Sequence, residues 1–379
     1  MDALLVIDKP LGLTSFDVVA KVRRILGERR IGHAGTLDPL ASGVLLLCLG
    51  EMTKLVPYLM DADKEYLATA RLGVATDTDD ADPQARVLSR ADERALLALR
   101  ESDIRAALAR MVGDLPQRPP RFSALKLDGK RLYDQARKAR EGTVASSLPD
   151  AAAIADASPS DASADAVIEA ATAQKTRRVH IAAIEVESIR LITADDPPGS
   201  LPEVCFRVRC GKGTYIRSLA RDLGEALAVG AHLSSLRRLR VGPFDLRGAA
   251  PPDQAAQAQR FGLRDAVAHL PQLVLSDVET HRVRCGQPAV LRELAPRLSA
   301  LFAQGNGDGS QAVAALDAQG ALVAILQPVS AVATAGDEAT PVVAPDPQTR
   351  WHIARGFVAA SPASAAVPAK EAPCTTDCV

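Results

Sequence analysis

The densest chemical signal in this 379-residue chain is the run Gly32-His33-Ala34-Gly35-Thr36-Leu37-Asp38-Pro39-Leu40-Ala41-Ser42-Gly43. Two glycines, a threonine and an Asp-Pro pair break any period between residues 32 and 39, so this stretch reads as an ordered loop. A carboxylate held on a Gly- and Pro-stiffened loop, just ahead of an apolar strand at residues 44–49, is pre-organised for nucleophilic or general-base work. Asp before Pro is also a common turn pair, and on the residues alone the two readings stand level.

Charge supplies the second signal. The formal net charge is only −1, but residues 118–140 carry eight basic side chains against two acids, and residues 205–242 again carry eight against two. Each window therefore nets +6, the kind of cluster from which phosphate contacts are drawn. The six cysteines follow no tight framework, which fits a reducing compartment. Cys374 and Cys378 form a Cys-x-x-x-Cys pair that lacks the two further ligands of a structural metal site.

Elements must hold these groups in place. Residues 3–7 read as a short buried strand. Ser15 is the expected N-cap of a helix with Val18, Val19, Val22, Ile25 and Leu26 on one face, ended by Gly27. Residues 64–72 alternate as a strand, 103–112 read as a helix, and Asp128-Gly129 is a turn signal. Long strands are expected at 179–191 and 204–210, then a helix from about Tyr215 to Ala228. Strands and helices in mixed order, without a βαβ repeat, predict an α+β fold with a mixed, largely antiparallel sheet.

Two stretches depart from this pattern. Residues 143–175 are mostly Ala, Ser, Asp and Pro with five acids and one Lys, and are expected to be a flexible insertion. Residues 248–269 are expected to link a first domain, 1–247, to a small β-rich domain at 270–358, with a disordered tail at 359–379. The longest apolar run is far short of the roughly 20 residues that span a bilayer. No secretion signal is visible at the N-terminus, so a cytoplasmic protein is expected.

The loop around Asp38 resembles the signature Gly-His-x-Gly-x-Leu-Asp-Pro-Leu-Ala-x-Gly of the tRNA pseudouridine synthase B family, with every fixed position present. The resemblance continues through Asp61-Ala62-Asp63-Lys64-Glu65-Tyr66, Phe122-Ser123-Ala124-Leu125-Lys126, Lys212-Gly213-Thr214-Tyr215-Ile216-Arg217, Ala231-His232-Leu233 and Leu236-Arg237-Arg238-Leu239. It implies the pseudouridine synthase fold with a central cleft, followed by a small PUA-like β-rich domain. It also implies an isomerase that needs neither metal nor cofactor. A uridine's glycosidic bond breaks, the uracil turns while held, and a carbon–carbon bond forms.

By the same resemblance Asp38 is the catalytic aspartate, which attacks the ribose C1′ or the uracil ring, or deprotonates the sugar; a carboxylate suits all three. Arg217 is its arginine partner, expected to pair with it in bidentate fashion. Tyr66 stacks on the target uracil, Tyr215 and Leu236 wall the pocket, and His33 positions the flipped nucleotide. Lys126, Lys130, Arg131, Arg237 and Arg238 are expected to contact the RNA backbone. The implied substrate is the T arm of tRNA, at the uridine numbered 55, with no obligate protein partner, no membrane and a monomeric state. An RNA-guided enzyme acting on ribosomal RNA, a non-catalytic RNA chaperone and a glycosidase are the alternatives. The last normally needs a second carboxylate, and none stands out.

Overall fold

The computed structural model describes residues 1–122, 126–127, 130–131, 172, 175–303, 312–329 and 350–357. They form two compact units, one spanning Met1–His269 and one beginning at Leu270.

The first unit is built on one large mixed sheet. Its strands are β1 (Ala3–Lys9), β2 (Ile31–Ala34), β3 (Ala41–Leu49), β4 (Lys64–Leu72), β5 (Gly113–Gln117), β6 (Arg177–Arg190), β7 (Glu203–Cys210), β8 (Ala231–Val241) and β9 (Arg260–Phe261). The spatial order is β9-β1-β3-β8-β4-β7-β6-β5, with β2 paired to β3 off this path. All of these pairs are antiparallel except β3 with β8. β1 and β3 are near-continuous apolar runs because they are buried on both faces. β4 alternates buried and half-buried residues along its whole length, as a strand packed mainly on one face does.

Helix α1 (Ser15–Leu26) buries Val18, Val19 and Val22 against this sheet. Its N-cap is Thr14 rather than the expected Ser15: Thr14 accepts from the Asp17 amide, and Asp17 reaches back to Thr14 in a capping box. The Ser15 hydroxyl is thereby free for another task. It accepts from the Leu37 amide at 2.9 Å and donates to the Leu37 carbonyl at 3.2 Å, pinning α1 to the Asp38 loop. That loop is shorter than expected, because residues 31–34 pair with β3 and β3 itself begins at Ala41.

Residues 248–269 are not a free linker. Within them β9 pairs with β1, and Ala255 and Ala258 are buried in the first unit's core. Their low-complexity composition hides this, since Ala fills narrow core space without giving a recognisable apolar period. The expected insertion at 143–175 lies outside the described residues except for Thr172, which is buried, and Lys175, which is exposed. The Asp128-Gly129 turn and the tail at 359–379 also lie outside them; the short pairs Lys126↔Arg131 and Leu127↔Lys130 flank the turn.

The second unit is not purely β. A four-stranded sheet, Gln272–Val274, Val313–Leu316, Leu322–Pro328 and Trp351–Gly356, is joined by helices Asp277–Arg284 and Pro288–Ala303. Val290, Leu291, Leu294 and Leu298 from the longer helix share a core with Val313, Val323, Leu326 and Trp351. Their spacing is helical and could have been read in the sequence.

Candidate active site

Sheet register brings distant residues to the Asp38 loop. In the parallel pairing of the large sheet, Leu236, Arg237 and Arg238 of β8 lie beside Ala41, Ser42 and Gly43 of β3. On its other side β8 places Arg238 opposite Tyr66 of β4. The parallel contact is so close that a Cβ on Gly43, whose φ is +104°, would stand 2.1 Å from the Arg238 carbonyl oxygen. Only glycine fits there.

Asp38 lines a cleft with Leu40, Ala41, Asp80, Arg217, Leu233, Ser234, Ser235 and Leu236. Its side chain is 43% exposed, whereas that of Arg217 is 9% exposed. Arg217 stands at the start of helix α2 (Ile216–Ala226), and its Nε lies 3.0 Å from Asp38 Oδ2. The contact is not the expected bidentate fork. One terminal nitrogen donates to the Thr78 carbonyl at 3.1 Å and lies 3.5 Å from Asp80, while the other donates to the Phe122 carbonyl at 2.8 Å. Burial opposes the guanidinium's charge, but the carboxylates of Asp38, Asp80 and Asp79 outweigh it and raise its pKa above the ordinary value. A water-accessible carboxylate oriented by a buried, fully engaged cation, in a cleft that Leu40, Leu233 and Leu236 wall in part, is an arrangement suited to nucleophilic or base chemistry.

Profiles of known families recognise this chain in two places. The TruB family pseudouridylate synthase N-terminal domain matches residues 23–156, and the tRNA pseudouridylate synthase B C-terminal domain matches residues 217–278. Proteins named tRNA pseudouridine synthase B are similar over most of the chain. That of Leifsonia xyli subsp. xyli is 39% identical over 324 residues, covering 86% of this chain and 92% of its own length. That of Geobacter sulfurreducens is 39% identical over 296 residues, covering 76% and 83%. The chain belongs to the TruB family. A solved archaeal box H/ACA sRNP Nop10-Cbf5 complex shares the fold, with a TM-score of 0.51 and 23% identity over 86% of this chain and 78% of that one.

The remaining expected site residues of this TruB-family chain fall in different surroundings. Tyr66 is 8% exposed and is not among the residues that line the cleft around Asp38; burial raises its pKa, with Arg238 and Asp38 nearby. Tyr215 immediately precedes α2; its amide and carbonyl are both held by the Gln117 side chain, and the Arg177 guanidinium lies 4.9 Å from its ring centroid. His33 meets Phe16 edge to face at 5.4 Å, and burial, with help from Arg238, lowers its pKa. Its buried Nδ1 has no hydrogen-bond partner among the described residues. The side chains of Lys126, Lys130 and Arg131 lie outside the described residues. Arg237 is partly exposed and paired with Asp8 at 2.8 Å.

Arg238 corrects an expectation. It is 1% exposed and cannot meet an RNA backbone. Its Nε donates to the Val44 carbonyl at 2.7 Å, and its terminal nitrogens reach the Gly35 and Thr36 carbonyls at 3.1 and 3.5 Å. It therefore ties the strand after Asp38 to the loop before it. On β8 neighbouring residues face opposite sides of the sheet, so Arg237 and Arg238 cannot share one surface.

Three further groups escaped the sequence reading. Lys9 is fully buried, donates to the Pro10 and Leu13 carbonyls at 2.9 and 2.7 Å, and is pushed down to about 8 by burial, against the charge of Asp38. Asp80 supplies the second carboxylate that the sequence did not reveal; burial raises its pKa, with Arg217 opposing. Asp79 pairs with Arg221 at 2.9 Å. The sequence signal for the two carboxylates is the run Thr76-Asp77-Thr78-Asp79-Asp80, together with two arginines four apart on α2; in the structure every residue of the run is buried. Among the described residues no group of three or more His, Cys, Asp or Glu could hold a metal ion. No helix among them is long and apolar enough to cross a membrane.

Proposed function

We propose that this chain isomerises the T-loop uridine at position 55 of tRNA to pseudouridine, with Asp38 as the catalytic carboxylate. The observation that carries the assignment of Asp38 is its 3.0 Å contact with the buried Arg217, in a cleft of a TruB-family fold. The extruded uridine enters the cleft with its C1′ toward Asp38, which acts on the nucleoside as nucleophile or base. Arg217 holds the carboxylate's orientation through the whole sequence of bond cleavage, rotation of the uracil and carbon–carbon bond formation. Leu236 and Leu233, which line the cleft, keep water from the detached base. Tyr66 and Tyr215 supply aromatic faces for the base once it is extruded. His33, beside the exposed Phe16 ring, positions the flipped nucleotide. Lys126, Lys130, Arg131 and Arg237 contact the RNA backbone.

The enzyme works as a cytoplasmic monomer without metal or cofactor. Mapping pseudouridine in total tRNA from cells with and without the gene tests this reading. Loss of the modification at position 55 alone is expected, and an unchanged tRNA map with altered ribosomal RNA would replace the reading with the RNA-guided one.

A further inference from the structure

Helix α2 carries two arginines one turn apart, Arg217 and Arg221, and both reach the same tight turn at residues 76–80. Arg217 meets the Thr78 carbonyl and the Asp80 carboxylate, and Arg221 meets the Asp79 carboxylate at 2.9 Å. The side chains of Arg221 and Asp79 are 11% and 9% exposed, and neither lines the cleft around Asp38. Arg221 is itself anchored, donating to the Arg118 carbonyl at 2.8 Å and to the Asp222 carboxylate at 2.8 and 3.1 Å.

The turn is costly to form. Asp79 has a φ of +59°, a conformation that a residue bearing a Cβ rarely adopts, and its carboxylate is buried. A simple reversal of chain direction would need neither, since glycine would serve. The turn is also docked against the cleft floor. The Asp79 carbonyl accepts from the Leu233 amide at 3.0 Å, and Asp80 bridges to Leu233, which lines the cleft beside Asp38.

We propose that Arg221 and Asp79 are positioning residues: an outer clamp that holds the 76–80 turn so that Thr78 and Asp80 orient Arg217 toward Asp38. Arg217 reaches Asp38 through Nε alone, and both of the clamp-dependent contacts are made by one of its terminal nitrogens. Displacement of the turn rotates the guanidinium about the Phe122 contact and carries Nε away from the carboxylate. Small displacements in such a constellation are expensive in rate. The inference rests on Asp38 being the catalytic group.

The clamp has a pH signature. Burial pushes Asp79 up to about 6, opposed by Arg221 and Arg217, with Asp222 and Arg118 also facing it and Asp77 and Asp80 on its own turn. Below about 6 the carboxyl is neutral, and Arg221 is drawn toward its remaining carboxylate partners Asp222 and Glu225 instead of the turn. A buried carboxyl with a raised pKa binds its proton more readily in the folded state, so protonation of Asp79 does not itself destabilise the fold, and the thermal midpoint measured at the same pH separates a loss of rate from unfolding.

The test uses the full chain and an unmodified tRNA transcript, and compares wild type with Asp79→Gly, Asp79→Asn, Arg221→Gln and the Asp79→Gly/Arg221→Gln pair. Single-turnover tritium release from C5-labelled uridine, tRNA affinity and thermal midpoint are measured for each. Glycine accepts the φ of +59° without strain, so Asp79→Gly removes the carboxylate and spares the turn. It is expected to slow the reaction at least about tenfold with tRNA affinity within about twofold of wild type. The double variant should be no slower than the slower single, as residues of one unit behave. The acid fall in rate near 6 should be present in wild type and absent in Asp79→Gly. Asp79→Gly or Asp79→Asn reacting within about twofold of an active wild type overturns the clamp alone. A wild-type chain inactive on tRNA overturns both the clamp and the functional reading.

Discussion

Arg217 holds Asp38 through a single nitrogen, Nε at 3.0 Å, while its two terminal nitrogens are committed to backbone carbonyls of Thr78 and Phe122. The side chain is thus a strut rather than a clasp: its far end is fixed in the protein and its near end steers the carboxylate. Lysine keeps the charge but offers one donor group where three separate ones are in use. Arg217→Lys is therefore expected to lower the single-turnover rate on tRNA by about 10²-fold while leaving affinity unchanged, because phosphate contacts lie elsewhere. A parallel fall in affinity would show that Arg217 binds RNA instead.

Arg238 should behave as a structural residue. Removing its side chain leaves the Val44, Gly35 and Thr36 carbonyls without their donor in a buried site. Arg238→Ala is expected to cost about 3–5 kcal/mol in urea unfolding. The salt dependence of tRNA binding should keep its log–log slope, whereas loss of a phosphate contact would make it shallower by about one unit.

Gly43→Ala tests the parallel β3–β8 contact. The added Cβ would meet the Arg238 carbonyl oxygen at 2.1 Å, against backbone that cannot swing aside, at a φ of +104°. Destabilisation beyond about 4 kcal/mol, or failure to accumulate folded protein, is expected. A variant of wild-type stability would mean that β3 and β8 are spaced more widely than this.

Lys9 and Lys64 are both pushed down to about 8 by burial, below the ordinary lysine value of 10.5. Above about 8 the folded chain binds fewer protons at these sites than the unfolded chain, so stability rises with pH. The rise should be visible between pH 8 and 9, before the buried thiols of Cys48 and Cys210, raised from 9.0 to about 12 and 11, fully oppose it as the unfolded thiols ionise near 9. Urea unfolding at both pH values should show it in wild type and less of it in Lys9→Met. A wild-type stability that falls over this interval would contradict the burial of these two ammonium groups.

Local chemistry was legible in the sequence, and partners were not. The Asp38 loop could be read because glycine, proline and aspartate dictate backbone shape within a few residues. β4 could be read from its alternation and α1 from its apolar face. Asp80 and Arg217 lie far apart in the chain, and only the docking of the 76–80 turn onto β8 makes them neighbours. Arg238 was misread for a related reason: a cluster of basic residues looks the same whether it faces phosphates or buried carbonyls. Strand alternation separates the two cases, and it does so only once β8 is known to be a strand.

The central claim is that Asp38 performs the chemistry, and Asp38→Asn tests it most directly. The amide is close to isosteric, so the loop pinned by Ser15 and Arg238 should keep its shape. The variant should bind tRNA as wild type does, because the backbone contacts that dominate affinity do not involve this carboxylate. What it lacks is the group that acts on the extruded nucleoside, a loss of about 10⁴-fold or more in rate. The measurement is tritium release from C5-labelled uridine in tRNA, under single-turnover conditions with enzyme in excess. No release above background is the predicted result; release at even about a hundredth of the wild-type rate would contradict the assignment of Asp38 as the essential catalyst.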